Sequence, residues 1–395
     1  MGDLASLSGL KVIMLLDNTF TSDARVEKEA KTLVDSGVEL TILCTEDTQL
    51  KKVETRNGYT ISRIIPDGYN APLRRNYKTY LETVVNEILT LDFHVIHCHD
   101  FYMLSIGAEV KKRRPKVKLI YDAHEYLRGW PFYKTSEGIN KWKGKLVWKK
   151  LIRKEKKEIL AADKVITITN GIAKQFQLNC GLKTLPHVIG NHPHKFDLSI
   201  REGYFHTKYG IPPNIKILIH TGTIYHTDDQ LQHLFEIIEK NSNIVLVFIG
   251  NRPKFYEVEE AANKKGILNK TLFFHPYPNN QKEVINLLAA ADIGLLHIID
   301  KWEAHRIGFS NRFVEYIMAG IPVIATPQEF TKEINNTYCC SEFYQADRSV
   351  ELSKAIKIMI SNYDVYKSEA VKARSALDWN LESEKLVNLY QAILK

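Results

Sequence analysis

Two doubly wound α/β domains in series are predicted for this chain. Three observations predict them: its length, an alternation of short apolar runs with longer amphipathic stretches, and one place where that alternation loosens and restarts. A chain of 395 residues exceeds one ordinary domain and suits two. With 44% apolar and 25% charged residues it has the make-up of a globular protein with ample core.

In the first half, apolar runs at 11–16, 38–44, 93–98, 117–122, 163–169 and 185–189 read as buried strands, with a helix over 24–36 and helical segments between most of the others. Such alternation implies a parallel sheet covered by helices on both faces. The pattern loosens at Asn191-His192-Pro193-His194 and begins again, with strands at 215–221, 243–249, 271–275, 292–296 and 321–325. The domains expected are therefore 1–194 and 195–380, with a last helix over 381–395 packing back on the first. Ligands of open parallel sheets sit beyond the carboxyl ends of the strands, so the expected site is a cleft in which the two domains face each other.

Composition narrows the setting. Cys44, Cys98, Cys180, Cys339 and Cys340 show no Cys-x-x-Cys spacing and read as reduced thiols. The start Met1-Gly2-Asp3-Leu4 lacks the charged-then-apolar pattern of a signal segment, and no apolar run is long enough for a membrane span. A cytoplasmic protein is expected. The formal charge of +8 suits anionic partners without choosing among them.

Residues 310–326 (SNRFVEYIMAGIPVIAT) hold the densest chemistry. Ser310 and Asn311 are helix starters, Gly320 a helix terminator, and a strand follows at once. A helix N-terminus at the mouth of a sheet presents free N–H groups to a diphosphate. Arg312 adds a cation, and Glu315 can accept two hydrogen bonds from a ribose diol. The same residues also fit a crossover helix whose charges are merely solvated.

This stretch resembles the "PNKLFEYMAAGLPVVA" segment of retaining GT-B glycosyltransferases, specifically glycosyltransferase family 4. The resemblance implies the GT-B fold, a nucleoside-diphosphate-sugar donor and a glycan or lipid-linked acceptor in cell-envelope polysaccharide assembly, with uridine the commonest base. It implies that Glu315 holds the donor ribose and that Gly308, Phe309, Ser310, Asn311 and Arg312 meet sugar and phosphates. The family's second Glu, eight residues earlier, is here Ile307. Residues 94–125 (HVIHCHD…KLIYDAHE) resemble the family's "DVIHAHD…KVIYDAHE", which makes His124 the catalytic candidate and His99 an acceptor-side one; His97 reads as structural. Asp23 and Arg25 match the family's "D-x-R-V-x-x-E-A", as acceptor-side or structural residues. No Gly-x-Gly-x-x-Gly follows the first strand, so a dinucleotide fingerprint is excluded there.

Gly222 closes the next family element, but the Arg and Lys that usually follow it are replaced by Thr223, Asp228 and Asp229. Arg252, Arg306 or Arg312 can substitute in gripping the diphosphate. No Asp-x-Asp stands where a metal would bridge a diphosphate, so neither metal nor cofactor is expected. Residues 141–157 (KWKGKLVWKKLIRKEKK) combine nine bases with one acid and two tryptophans, which suits either an anionic membrane surface or a solvated packing helix; nucleic acid is not expected. Two rivals stay open: a nucleotide-sugar 2-epimerase of the same fold and a non-catalytic nucleotide-binding partner.

Overall fold

The structure, a computed structural model, describes residues 7–66, 77–135, 137–199, 203–224, 227–250 and 253–394. The chain forms two compact units, Met1–Asn191 with Asn380–Lys395, and His192–Trp379.

The first unit is built on eight strands: β1 Lys11–Leu15, β2 Glu39–Thr45, β3 Val53–Arg56, β4 Tyr59–Ile65, β5 Val95–His99, β6 Lys118–Ala123, β7 Lys164–Thr167 and β8 His187–Val188. They lie in the order β3-β4-β2-β1-β5-β6-β7-β8. All neighbours are parallel except β3, which runs antiparallel to β4 at one edge. The sequence reading missed that β3–β4 hairpin. Its signal was present, since Asn57-Gly58 is the dipeptide of a tight hairpin turn and both residues have positive φ, 50° and 87°. Helix Ala24–Asp35 begins where Asp23 accepts a hydrogen bond from the Val26 N–H at 3.1 Å. Its inward face carries Val26, Ala30 and Leu33, and also the charged Arg25 and Glu29.

The second unit has six parallel strands, β9 Lys216–Thr221, β10 Ile244–Ile249, β11 Leu272–His275, β12 Ile293–Leu296, β13 Val323–Ala325 and β14 Ser341–Phe343, in the order β11-β10-β9-β12-β13-β14. Edge strand β14 was also missed; it is three residues long and carries no clear apolar run. Strand β10 is buried throughout and feeds both faces: Val245, Val247 and Ile249 enter one core, Ile244, Leu246 and Phe248 the other. A continuous apolar run is what a strand covered on both sides requires.

The second unit opens at His192, where the sequence reading placed the division after residue 194. The segment belongs there because the His192 ring lies 5.8 Å from that of Phe309, and the Pro193 carbonyl accepts a 3.0 Å bond from the Trp379 N–H. From Asn380 the chain is part of the first unit, where Glu382 accepts a 2.7 Å bond from the Gly190 N–H. All five cysteines are free thiols.

Candidate functional site

In the first unit, charged side chains converge beyond the carboxyl ends of β5 and β6. Arg25 is the hub. Its Nε and Nη2 donate to both oxygens of Asp122 at 2.9–3.2 Å, and its Nη1 donates to the Ile189 carbonyl at 3.0 Å. Glu29, one turn on, places Oε1 3.0 Å from Arg25 Nε. Arg25 is 4% exposed and both carboxylates are fully buried, so this is an ion cluster removed from water. Burial pushes Asp122 up, but Arg25 and then His124 outweigh it and hold the carboxyl well below its ordinary range. For Glu29 burial prevails over Arg25 and raises the carboxyl to about 8.

Three histidines line this cluster. His97 and His99 stack with ring centroids 4.4 Å apart, and burial drives both toward the neutral form, His97 to about 4. His97 Nδ1 lies 2.8 Å from the hydroxyl of Tyr390, on the C-terminal helix Trp379–Leu394. His99 Nδ1 lies 3.2 Å from His124 Nε2. His124 differs from both. Its Nδ1 sits 3.2 Å from Asp100 and its Nε2 3.4 Å from Asp122, while its backbone N–H donates to Asp100 at 3.0 Å. Burial opposes its charge, yet Asp100 and Asp122 together hold the imidazole well above its ordinary value. His124 is thus an imidazolium clamped between two carboxylates, with one-fifth of its side chain exposed. Asp100 keeps its place with a left-handed backbone, φ 61°.

Asp23, expected on the acceptor side, caps the helix that carries Arg25. Arg25, read as acceptor-side or structural, and His99, read as acceptor-side, are both buried. Arg25 spends its donors on Asp122 and Ile189, and His99 is 2% exposed. Arg25 bonds to Asp122, and His99 Nδ1 lies against His124 Nε2. Glu29, His97, His99 and Asp122 bring one ligand atom each within 4.8 Å of one another, the one such grouping with metal-ligand chemistry among the described residues. Its cation is Arg25, and a divalent ion would have to displace that guanidinium from both carboxylates.

In the second unit the candidate donor site gathers at the carboxyl end of β9. Helix Asn311–Met318 starts with Ser310, whose hydroxyl accepts from the Phe313 N–H at 3.3 Å. Glu315 is 8% exposed and accepts a 3.2 Å bond from Gln281 Nε2, at the start of helix Gln281–Leu288. Arg312 Nη1 donates to the carbonyls of Thr221 and Thr223 at 3.3 and 3.1 Å, on either side of Gly222. Gly222 has φ 74°, a conformation that side chains other than glycine resist. Gly308 is needed for a different reason: a Cβ there would stand 2.4 Å from the Ala304 carbonyl oxygen. Phe309 packs its ring 4.6 Å from that of Phe330. Asn311 is the first residue of the helix.

Of the substitute cations, Arg306 is paired with Glu329 at 2.6 Å, Arg312 is the one beside Gly222, and Arg252 lies outside the described residues. Ile307 is 1% exposed, so the place of the family's second Glu is part of the core. The sequence reading missed Gln281, which orients Glu315, and Tyr316, whose hydroxyl accepts from the Thr221 N–H at 3.1 Å and donates to the Leu295 carbonyl at 3.2 Å. Gln281 stands in no motif, and Tyr316 stands in the 310–326 stretch but shows its role only through its partners.

Comparison with known proteins bears on the family and the fold. Residues 24–192 match Glycosyltransferase Family 4, and residues 205–376 match Glycosyl transferases group 1. The fold recurs in sucrose-phosphate synthase from Thermosynechococcus elongatus (TM-score 0.71, 12% identity, 98% of this chain and 99% of that one). It recurs in HepE from Anabaena in complex with UDP (0.71, 14%, 97% and 100%) and in a glycosyltransferase from Rickettsia africae (0.70, 13%, 98% and 99%). No curated protein sequence matches the chain. Two Rossmann-like domains of this kind define the GT-B fold. The chain belongs to glycosyltransferase family 4, with a group 1 domain as its second half.

Proposed function

We propose that this protein is a retaining hexosyltransferase that moves a sugar from a uridine-diphosphate sugar to a hydroxyl of a glycan or lipid-linked acceptor in cell-envelope polysaccharide assembly, without a bound metal. The observation that carries this reading is the built corner of the second unit, where Gly222, Arg312, the Ser310-capped helix and Glu315 with its partner Gln281 meet. Glu315, oriented by the hydrogen bond from Gln281, takes the ribose diol. The helix N–H groups and the Arg312 cation offset the diphosphate charge that grows as the glycosidic bond breaks. The uridine assignment is supported by HepE, whose structures hold UDP and UDP-glucose.

The first unit supplies the acceptor side. His124, held as an imidazolium by Asp100 and Asp122, contributes a fixed positive charge instead of a base. That suits a transfer in which the acceptor proton leaves with the departing diphosphate. The protein works at the cytoplasmic face of the membrane, where donor and lipid-linked acceptor meet.

A thermal-shift panel with UDP, GDP, ADP, CMP and NAD, run on the wild type and on Glu315→Ala, tests the donor side. Stabilisation by UDP that is lost in the variant is the expected result. A sugar-release assay tests the reaction: release must depend on acceptor and persist in EDTA. Acceptor-free isomer formation would mark an epimerase, and no release would mark a binding protein.

A further inference from the structure

We infer that the first half of the helix Gly138–Glu158 is a docking face for an anionic lipid bilayer. The inference deepens the acceptor side of the proposed transferase and rests on that reading for its purpose. Its evidence is separate.

Ile139, Trp142 and Leu146 are 64%, 61% and 48% exposed. At about 100° per residue they fall within an arc of about 60° on the helix surface, one continuous apolar stripe. The opposite side is held down. A Cβ on Gly144 would stand 2.9 Å from Tyr133 Cβ, the Trp148 ring lies 5.4 Å from the Tyr133 ring, and Trp148 Nε1 donates to the Leu127 carbonyl at 3.4 Å. Further along, Leu151 and Ile152 enter the core. The helix is therefore fixed by one side and turns the other, with its three large apolar side chains, to solvent.

Charge completes the surface. From 138 to 154 the sequence has seven bases and no acid. Lys154 is used internally, donating to Ser105 and Glu158. Lys143, Lys149, Lys150 and Arg153 border the stripe on the helical projection and make no ion pair among the described residues. An anionic lipid surface uses both features at once. Phosphate groups of RNA would engage the lysines but have no use for Ile139, Trp142 and Leu146. A headgroup layer takes the indole and the aliphatic chains at its apolar boundary, and each nearby base adds attraction to anionic lipid. No helix among the described residues is long and apolar enough to cross a membrane, so the contact is with the surface.

Flotation of the full-length protein with vesicles of phosphatidylcholine, with and without phosphatidylglycerol, tests this. The protein should float with the anionic vesicles, less so in high salt. Trp142→Ser combined with Leu146→Ser should reduce binding about tenfold, and Lys143→Glu with Lys150→Glu should reduce it as well. All four side chains are exposed, and stabilisation by UDP should be unchanged in every variant. No flotation with anionic vesicles, or flotation indifferent to the double Ser variant, would overturn the inference. So would displacement from vesicles by RNA to the same extent in wild type and the double Ser variant. Loss of vesicle binding with UDP stabilisation intact sinks the docking face alone. Vesicle binding without any UDP response sinks the transferase reading and leaves the surface standing.

Discussion

Arg25 is buried with two carboxylates and is the nearest cation to both. Replacing it with leucine takes the bidentate guanidinium from the buried Asp122 carboxylate and leaves His124 as its remaining cation, so Arg25→Leu should lower stability by about 3–5 kcal/mol, read as a shift in the urea midpoint. Lysine keeps the charge but not the two-pronged geometry, and Arg25→Lys should recover only part of the loss. His124 carries a kinetic signature. Because Asp100 and Asp122 hold it protonated, transfer by the wild type should not fade as pH rises through the ordinary imidazole range. In Asp100→Asn one clamp is gone, the imidazolium loses its proton at lower pH, and the alkaline limb of the rate profile should move down. His124→Gln should cost on the order of 10²-fold in kcat with donor KM little changed. A rate insensitive to both variants would remove His124 from the chemistry. At this scale the sequence marked Arg25, His99 and His124 singly, through family motifs. That they touch, and that Glu29 joins them, depends on one helix and two strands coming together, which brings Arg25 to Asp122 across 97 residues and His99 to His124 across 25.

Elements place these residues through their ends. Gly222 turns the chain out of β9 in a left-handed conformation, with Arg312 bonded to the carbonyls before and after it. Gly222→Ala should cost about 1 kcal/mol in backbone strain, and it should weaken UDP stabilisation by tilting the loop that Arg312 grips. Both are readable in one thermal-shift titration. The C-terminal helix makes a comparable contribution to the first unit. Tyr390→Phe takes the hydroxyl from His97 Nδ1 and leaves a buried ring nitrogen without its partner, a cost of about 1–3 kcal/mol in unfolding free energy. An unchanged urea midpoint would show that the bond contributes nothing net. Most strands and the helix 24–35 were legible because a buried strand must be apolar throughout and a helix start needs a cap. The edge strands were not, since half-exposed β3 and three-residue β14 carry mixed side chains.

Across the molecule, burial of neutral histidines couples folding to pH. His97 in the first unit and His297 in the second are both depressed to about 4 by burial. The unfolded chain takes these protons near pH 6.5, the folded one only near 4. Stability present above about 6.5 is therefore lost as pH falls toward 4, on the order of 3 kcal/mol for each ring. Glu29, raised to about 8, works the other way in the first unit, where stability falls as pH rises from its ordinary carboxyl value to about 8. Hydrogen exchange followed in both units between pH 7 and 5 should show the second losing protection more steeply. Equal slopes would mean that Glu29 is not held protonated. By itself the sequence determined the two-fold α/β series, the family and the residue types of both candidate sites, because periodicity, caps and motifs are local along the chain. Only the tertiary structure decided which charges share a buried cluster, which histidine is held positive, that Gln281 and Tyr316 belong with the donor corner, and which side of a basic helix faces water. Those outcomes depend on distance and burial, and both are set by residues far apart in sequence.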